Sequence, residues 1–164
     1  MEYVNELQDV LKSMFLSERK YFVASQKVQN PELLRFLNHQ NILRNGYINK
    51  LVEVFEQKQI GLSVFEVEKR KHVFDIDDLY AGLHIKKQGY LELMEECLDH
   101  DQKLIQKCIN CLNIKNIPLD ILEVLTKIST SLIFYGIDGN KVAQIFKRKC
   151  YHQNYNRSRY SSLI

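Results

Sequence analysis

Apolar residues recur in the first stretch of the chain at Leu7, Leu11, Met14 and Tyr21, with Val10 and Phe22 beside them. Steps of three and four put these side chains on one face of an α-helix, and the run predicts a helix over residues 2–28. It stops before Asn30-Pro31. Asn is a good N-cap and Pro suits a first helical turn, so the same dipeptide starts a second helix over residues 31–59. Its stripe is Leu33, Leu37, Tyr47, Leu51 and Phe55, with Phe36 and Val54 alongside. So short a connection makes the two helices an antiparallel hairpin. Gly46, inside the second helix, costs helix stability and points to a close helix contact.

The first clear break is Ile60-Gly61-Leu62-Ser63. Residues 63–76 read as a crossover that is at best partly helical. A third helix follows over residues 77–112, bent near Gly89, with Leu83, Tyr90, Met94, Cys97, Leu104, Cys108 and Cys111 in register. After a loop at 113–117, Pro118 opens a fourth helix that runs to Phe134 through Ile121, Leu122, Leu125, Ile128 and Leu132. Tyr135-Gly136-Ile137-Asp138-Gly139 reads as a turn, residues 140–149 as a short extra helix, and the remainder as a polar, flexible tail. The two helix-Pro-helix units, around Pro31 and Pro118, are the two hairpins that a four-helix bundle requires. The expected fold is all-α, with a bundle domain over 1–149 and a tail over 150–164.

Composition agrees. The chain has 164 residues, 45% of them hydrophobic, with 6 Gly and 2 Pro. That excludes disordered and collagen-like classes and disfavours a turn-rich all-β fold. The net charge of +3 is unevenly placed: Lys147, Arg148, Lys149, Arg157 and Arg159 give the segment 147–164 a charge of +5, leaving −2 for the rest. The basic end is a candidate contact tail. The N-terminus lacks the basic and apolar regions of a signal peptide, and no run approaches a membrane span. The expected location is cytoplasmic, with no membrane partner.

Two carboxylates stand out. Glu18 falls in step with Leu11, Met14 and Tyr21, and Asp101 lies between Cys97 and Leu104. A buried carboxylate needs a cation, hydrogen-bond donors or a metal. Arg44 and Gln40 lie on the seam of the second helix, and Lys87 lies near the seam of the third. A Glu18–Arg44 pair within a buried polar network of Glu18, Gln40, Arg44, Lys87 and Asp101 therefore needs no metal. The alternative is a divergent di-iron carboxylate centre holding iron or manganese through Glu18, His39 and Asp101. Di-iron bundles add a Glu-x-x-His pair from each of two helices. Here Phe36 stands three residues before His39, and the fourth helix has no His.

Cys108-Ile109-Asn110-Cys111 is a CxxC and Cys97-Leu98-Asp99-His100 a CxxH. They lie roughly 16 Å apart along one helix at ~1.5 Å per residue, so they cannot share an ion. Structural zinc wants four ligands, and the cysteines read as small core residues. The tail interleaves Tyr151, Tyr155 and Tyr160 with Arg157 and Arg159. It is a partner-docking segment first and a nucleic-acid contact second, because no nucleic-acid fold motif accompanies it. No phosphate-binding Gly loop, serine elbow or HExxH is present.

Ser17-Glu18-Arg19-Lys20-Tyr21 with Ala24, Asn30-Pro31-Glu32-Leu33 through Leu51 with Arg44, and Leu93-Met94-Glu95-Glu96-Cys97 with Asp101 form a pattern. It resembles an uncharacterised bacterial ferritin-like family, one of the domain-of-unknown-function families. The resemblance covers about residues 3–132, with a poorly matched middle near 60–90 and with Asp101 where a Glu is usual. It implies a ferritin-like antiparallel four-helix bundle and, fold not being function, little about activity. The expectation is a non-enzymatic, metal-free bundle acting through protein contacts as a homodimer, with Val64, Phe65, Val73 and Phe74 as contact residues. The rival is the metal-handling or oxidoreductase reading, and the third is nucleic-acid binding by the tail.

Overall fold

The structure, a computed structural model, describes the backbone of residues 3–61 and 89–161, and the side chains in those ranges except at residue 90 and beyond 148. Four helices form an all-α bundle: α1 (Tyr3–Lys27), α2 (Pro31–Gln57), α3 (Tyr90–Leu112) and α4 (Leu119–Ser161). Packing follows the hairpins, α1 on α2 and α3 on α4. It is completed by α1 on α3 and, more thinly, α2 on α4.

The local signals act as the chemistry requires. The Asn30 side chain accepts hydrogen bonds from the Glu32 and Leu33 amides at 3.0 and 3.1 Å, satisfying two otherwise orphaned donors at the start of α2. At the other end Gln59 turns left-handed (φ 53°), and the Ile60 amide donates back to the Phe55 carbonyl at 2.9 Å. This is a Schellman-type stop, and it drops Ile60 into the core.

The seam of α1 keeps a strict seven-residue repeat. Tyr3, Val10, Ser17 and Ala24 alternate with Leu7, Met14 and Tyr21, Val28 continues the pattern just past the helix end, and all eight are buried. Such a repeat holds one face of a helix against its neighbours along its length. Contacts fix the directions. Lys20 pairs with Glu96 and Lys107 bonds Ser13, so α1 and α3 are antiparallel. Lys58 pairs with Asp120 while His39 meets Tyr135, so α2 and α4 are antiparallel too. The helices α2 and α3 therefore run the same way, and the connection between them joins opposite ends of the bundle. Residues 62–88 lie outside the described residues, and with them the expected crossover, the first part of the predicted third helix, Lys87 and the contact candidates Val64, Phe65, Val73 and Phe74.

The C-terminal half departs from expectation. There is no separate short helix: α4 is continuous for 43 residues, through the predicted turn and into the tail. Gly136 and Gly139 cost helix stability but sit on its buried face. A Cβ on Gly139 would stand 2.7 Å from Leu98 Cδ2 and 3.1 Å from Phe36 Cζ, so glycine there permits close approach to α2 and α3. Gly46 behaves in the opposite way. It is exposed, and a Cβ on it would meet nothing within 4 Å, so it marks no close helix contact among the described residues.

Candidate functional site

The core is two apolar clusters. One gathers Leu7, Leu11, Met14, Phe55, Leu104, Cys108 and Leu125; the other gathers Tyr21, Leu33, Leu37, Met94, Cys97 and Ala143. Between them lies a polar layer contributed by three helices. Ser17 and Tyr21 come from α1, Gln40 and Arg44 from α2, and Asp101 from α3, and each is 5% exposed or less.

Arg44 organises the layer. Its Nε donates to Ser17 Oγ at 2.6 Å, and Nη1 donates to the Gln40 carbonyl at 2.9 Å and to Gln40 Oε1 at 2.8 Å. Its Nη2 makes a buried salt bridge with Asp101 Oδ2. The carboxylate is completed by two hydroxyls: Ser17 donates to Oδ1 at 2.8 Å and Tyr21 donates to Oδ2 at 2.7 Å. The guanidinium carbon stands 3.9 Å from the Tyr21 ring centroid, a cation–π contact. Among the described residues, no buried side-chain nitrogen or oxygen lacks a hydrogen-bond partner. A buried ion pair is tolerated on that condition, because an unmet partner in a low dielectric is costly.

Burial shapes the neighbouring acids and bases. The Tyr21 phenol is held well above its usual pKa by burial and by the Asp101 charge. Burial, reinforced by Asp101, pushes the Cys97 thiol up to about 12. Burial likewise lifts Cys108 to about 12 and Cys111 to about 11. All three thiols are buried, free and un-ionised at neutral pH, which suits core packing and not nucleophilic chemistry. His100, on α3, hydrogen-bonds through Nε2 to the Ser13 carbonyl at 3.1 Å, and burial lowers its pKa.

Several expectations need correction. Arg44 pairs with Asp101, not with Glu18. Glu18 is only half-buried and lies outside the layer, where Asn41 Nδ2 donates to its Oε1 at 2.8 Å and to its backbone carbonyl at 3.1 Å. The reason is the seven-residue repeat: from Met14 the seam steps three places to Ser17, not four to Glu18. Ser17 was missed because a serine scores as polar, and its signal is that seven-residue spacing between Val10 and Ala24. Gln40, Arg44 and Asp101 do meet.

The candidate metal ligands do not converge. Glu18 is bound to Asn41, His39 is exposed and edges onto Tyr135, and Asp101 is engaged by Arg44, whose positive charge repels a cation. Among the described residues, no group of three or more His, Cys, Asp or Glu is placed to hold a metal ion. These side chains do not fit an iron or manganese centre. In the basic segment, Lys147 pairs with Glu95 on α3, and Arg148 is exposed. The side chains of Lys149, Arg157 and Arg159 lie outside the described residues.

Comparison with known proteins returns no match among family models, curated proteins or solved structures. The described residues form a four-helix, all-α bundle. None of its described helices is long and apolar enough to cross a membrane.

Proposed function

We propose that this chain is a non-enzymatic, metal-free ferritin-like bundle that acts through protein–protein contacts, as a homodimer. The observation that carries the reading is the Arg44–Asp101 layer. It puts a guanidinium at the centre of the bundle against the buried carboxylate, and among the described residues no buried side-chain nitrogen or oxygen is left without a hydrogen-bond partner. Ferritin-likeness is supported by the order of directions, in which every neighbouring pair is antiparallel and one long connection joins α2 to α3.

The contact surface is the outer side of α4, where Ile133, Ile137 and Ile145 are 48%, 53% and 48% exposed. Isolated apolar residues are ordinary on a surface, but these three share the outward-facing third of α4 at ~100° per residue. A second copy is the occupant because the exposed apolar face lies along one continuous helix, and two copies related by a two-fold axis present the same face to each other. Sedimentation of the full chain tests this. The wild type should be a dimer at micromolar concentration and Ile137→Asp a folded monomer. A monomeric wild type at high concentration, or an unaffected Ile137→Asp dimer, sinks the proposal.

A further inference from the structure

The α2–α4 interface is tied at both ends. Lys58 and Asp120 pair at one end, and His39 and Tyr135 stack edge-on towards the other. Between them lies an open cleft of about 520 Å³. The cleft is shallow and open to solvent on its outer side. Its apolar walls include the rings of Tyr47 and Phe134, and its polar groups include the hydroxyls of Thr130 and Ser131 and the ammonium groups of Lys50 and Lys127.

The charge in this cleft is one-sided. Among the described residues, no carboxylate lines it. Lys127 is shared with Glu123 at 2.6 Å, but Lys50 has no ion-pair partner among the described residues and lies 5.9 Å from the Tyr47 ring centroid. An ammonium near the Tyr47 ring with no ion-pair partner among the described residues, in a cleft that Phe134, Thr130 and Ser131 also line, matches a ligand with a flat apolar body and one anionic group. The body covers Tyr47 and Phe134, and the anion meets Lys50 through a charge-assisted hydrogen bond.

We propose that the α2–α4 cleft is a binding site for a small aromatic organic anion, with Lys50 as the charge-recognising residue and Phe134 as the apolar wall. Ile133, Ile137 and Ile145 do not line the cleft. The test uses two fluorescent probes of similar shape, anilinonaphthalene sulfonate and the uncharged N-phenyl-1-naphthylamine, titrated into the full-length protein. The anion should saturate one site and bind about tenfold more tightly than the neutral probe, the difference expected of one charge-assisted contact. Lys50→Gln should remove that preference, Phe134→Ala should weaken both probes, and Ile145→Ser should change neither. Both substituted cleft residues are surface-facing, so folding is not at issue. Equal affinity for the two probes, an unchanged preference in Lys50→Gln, or a loss confined to Ile145→Ser would overturn the assignment.

Discussion

Arg44 and Tyr21 grip the same atom. Both donate to Asp101 Oδ2, while the Arg44 guanidinium lies over the Tyr21 ring at 3.9 Å from its centroid. Ser17 closes the other side of the layer, accepting from Arg44 and donating to Asp101 Oδ1. Tyr21→Phe keeps the ring and leaves Oδ2 bonded to Arg44, so it should cost about 1–2 kcal/mol. Ser17→Ala strips a partner from both ions and should cost more, about 2–4 kcal/mol. Urea unfolding of the two variants checks the order. A Ser17→Ala protein as stable as wild type would show that the hydroxyl does not bridge the pair.

The two contrasted glycines predict opposite signs. Gly46 faces open space, so Gly46→Ala should stabilise by about 0.5–1 kcal/mol through helix propensity. Gly139→Ala gains the same propensity but drives a Cβ to 2.7 Å from Leu98 Cδ2, and overpacking costs about 1–3 kcal/mol. The net effect should be a loss. Thermal melts of the two variants, run side by side, decide it; a Gly139→Ala protein that melts higher than wild type refutes the close approach.

His100 supplies a pH dependence. Its folded pKa is lowered from 6.5, first by burial and then by Lys20 and Lys103, against the opposing Ser13 carbonyl and Asp101. The unfolded chain therefore takes up the proton first as pH falls. This contribution is fully present above about 6.5 and declines as pH drops below it, levelling off once the folded state is protonated as well. The stability of His100→Gln relative to wild type should improve on going from pH 7.5 to pH 5. A constant difference across that range contradicts a buried neutral imidazole.

The thiols offer a kinetic check. With Cys97, Cys108 and Cys111 buried and their pKa values held at about 12, 12 and 11, none should react with a thiol reagent in the native protein. In a Cys150→Ser background, labelling at pH 8 should be slow and should track global opening, accelerating with urea in step with unfolding. Rapid labelling of one thiol in native buffer would place it on an accessible surface.

Much of this was legible in the chain. The apolar stripes of the first two helices, the Asn30-Pro31 cap and the seam positions of Gln40, Arg44 and Asp101 followed from spacing and elementary capping chemistry. Two things did not. Ser17 and Glu18 both fit a step from Met14, and only the whole seven-residue repeat chooses between three and four places. Gly136 and Gly139 carry the local signature of a turn, yet tertiary packing against Leu98 and Phe36 outweighs propensity and keeps α4 unbroken. Pairing is non-local as well. Nothing near Arg44 in sequence says that its partner is Asp101, 57 residues away, when Glu18 is nearer in sequence and of the same charge.

The central claim is that the polar layer is a self-satisfied structural clamp, and a double-mutant cycle on Arg44 and Asp101 tests it most directly. Arg44→Met and Asp101→Leu, each leaving one buried ion unpaired, should lose ~3–5 kcal/mol of unfolding free energy. The double variant, with both ions replaced by apolar side chains, should recover most of that loss. Simple additivity of the two losses would contradict the clamp, because it would mean that Arg44 and Asp101 do not depend on each other.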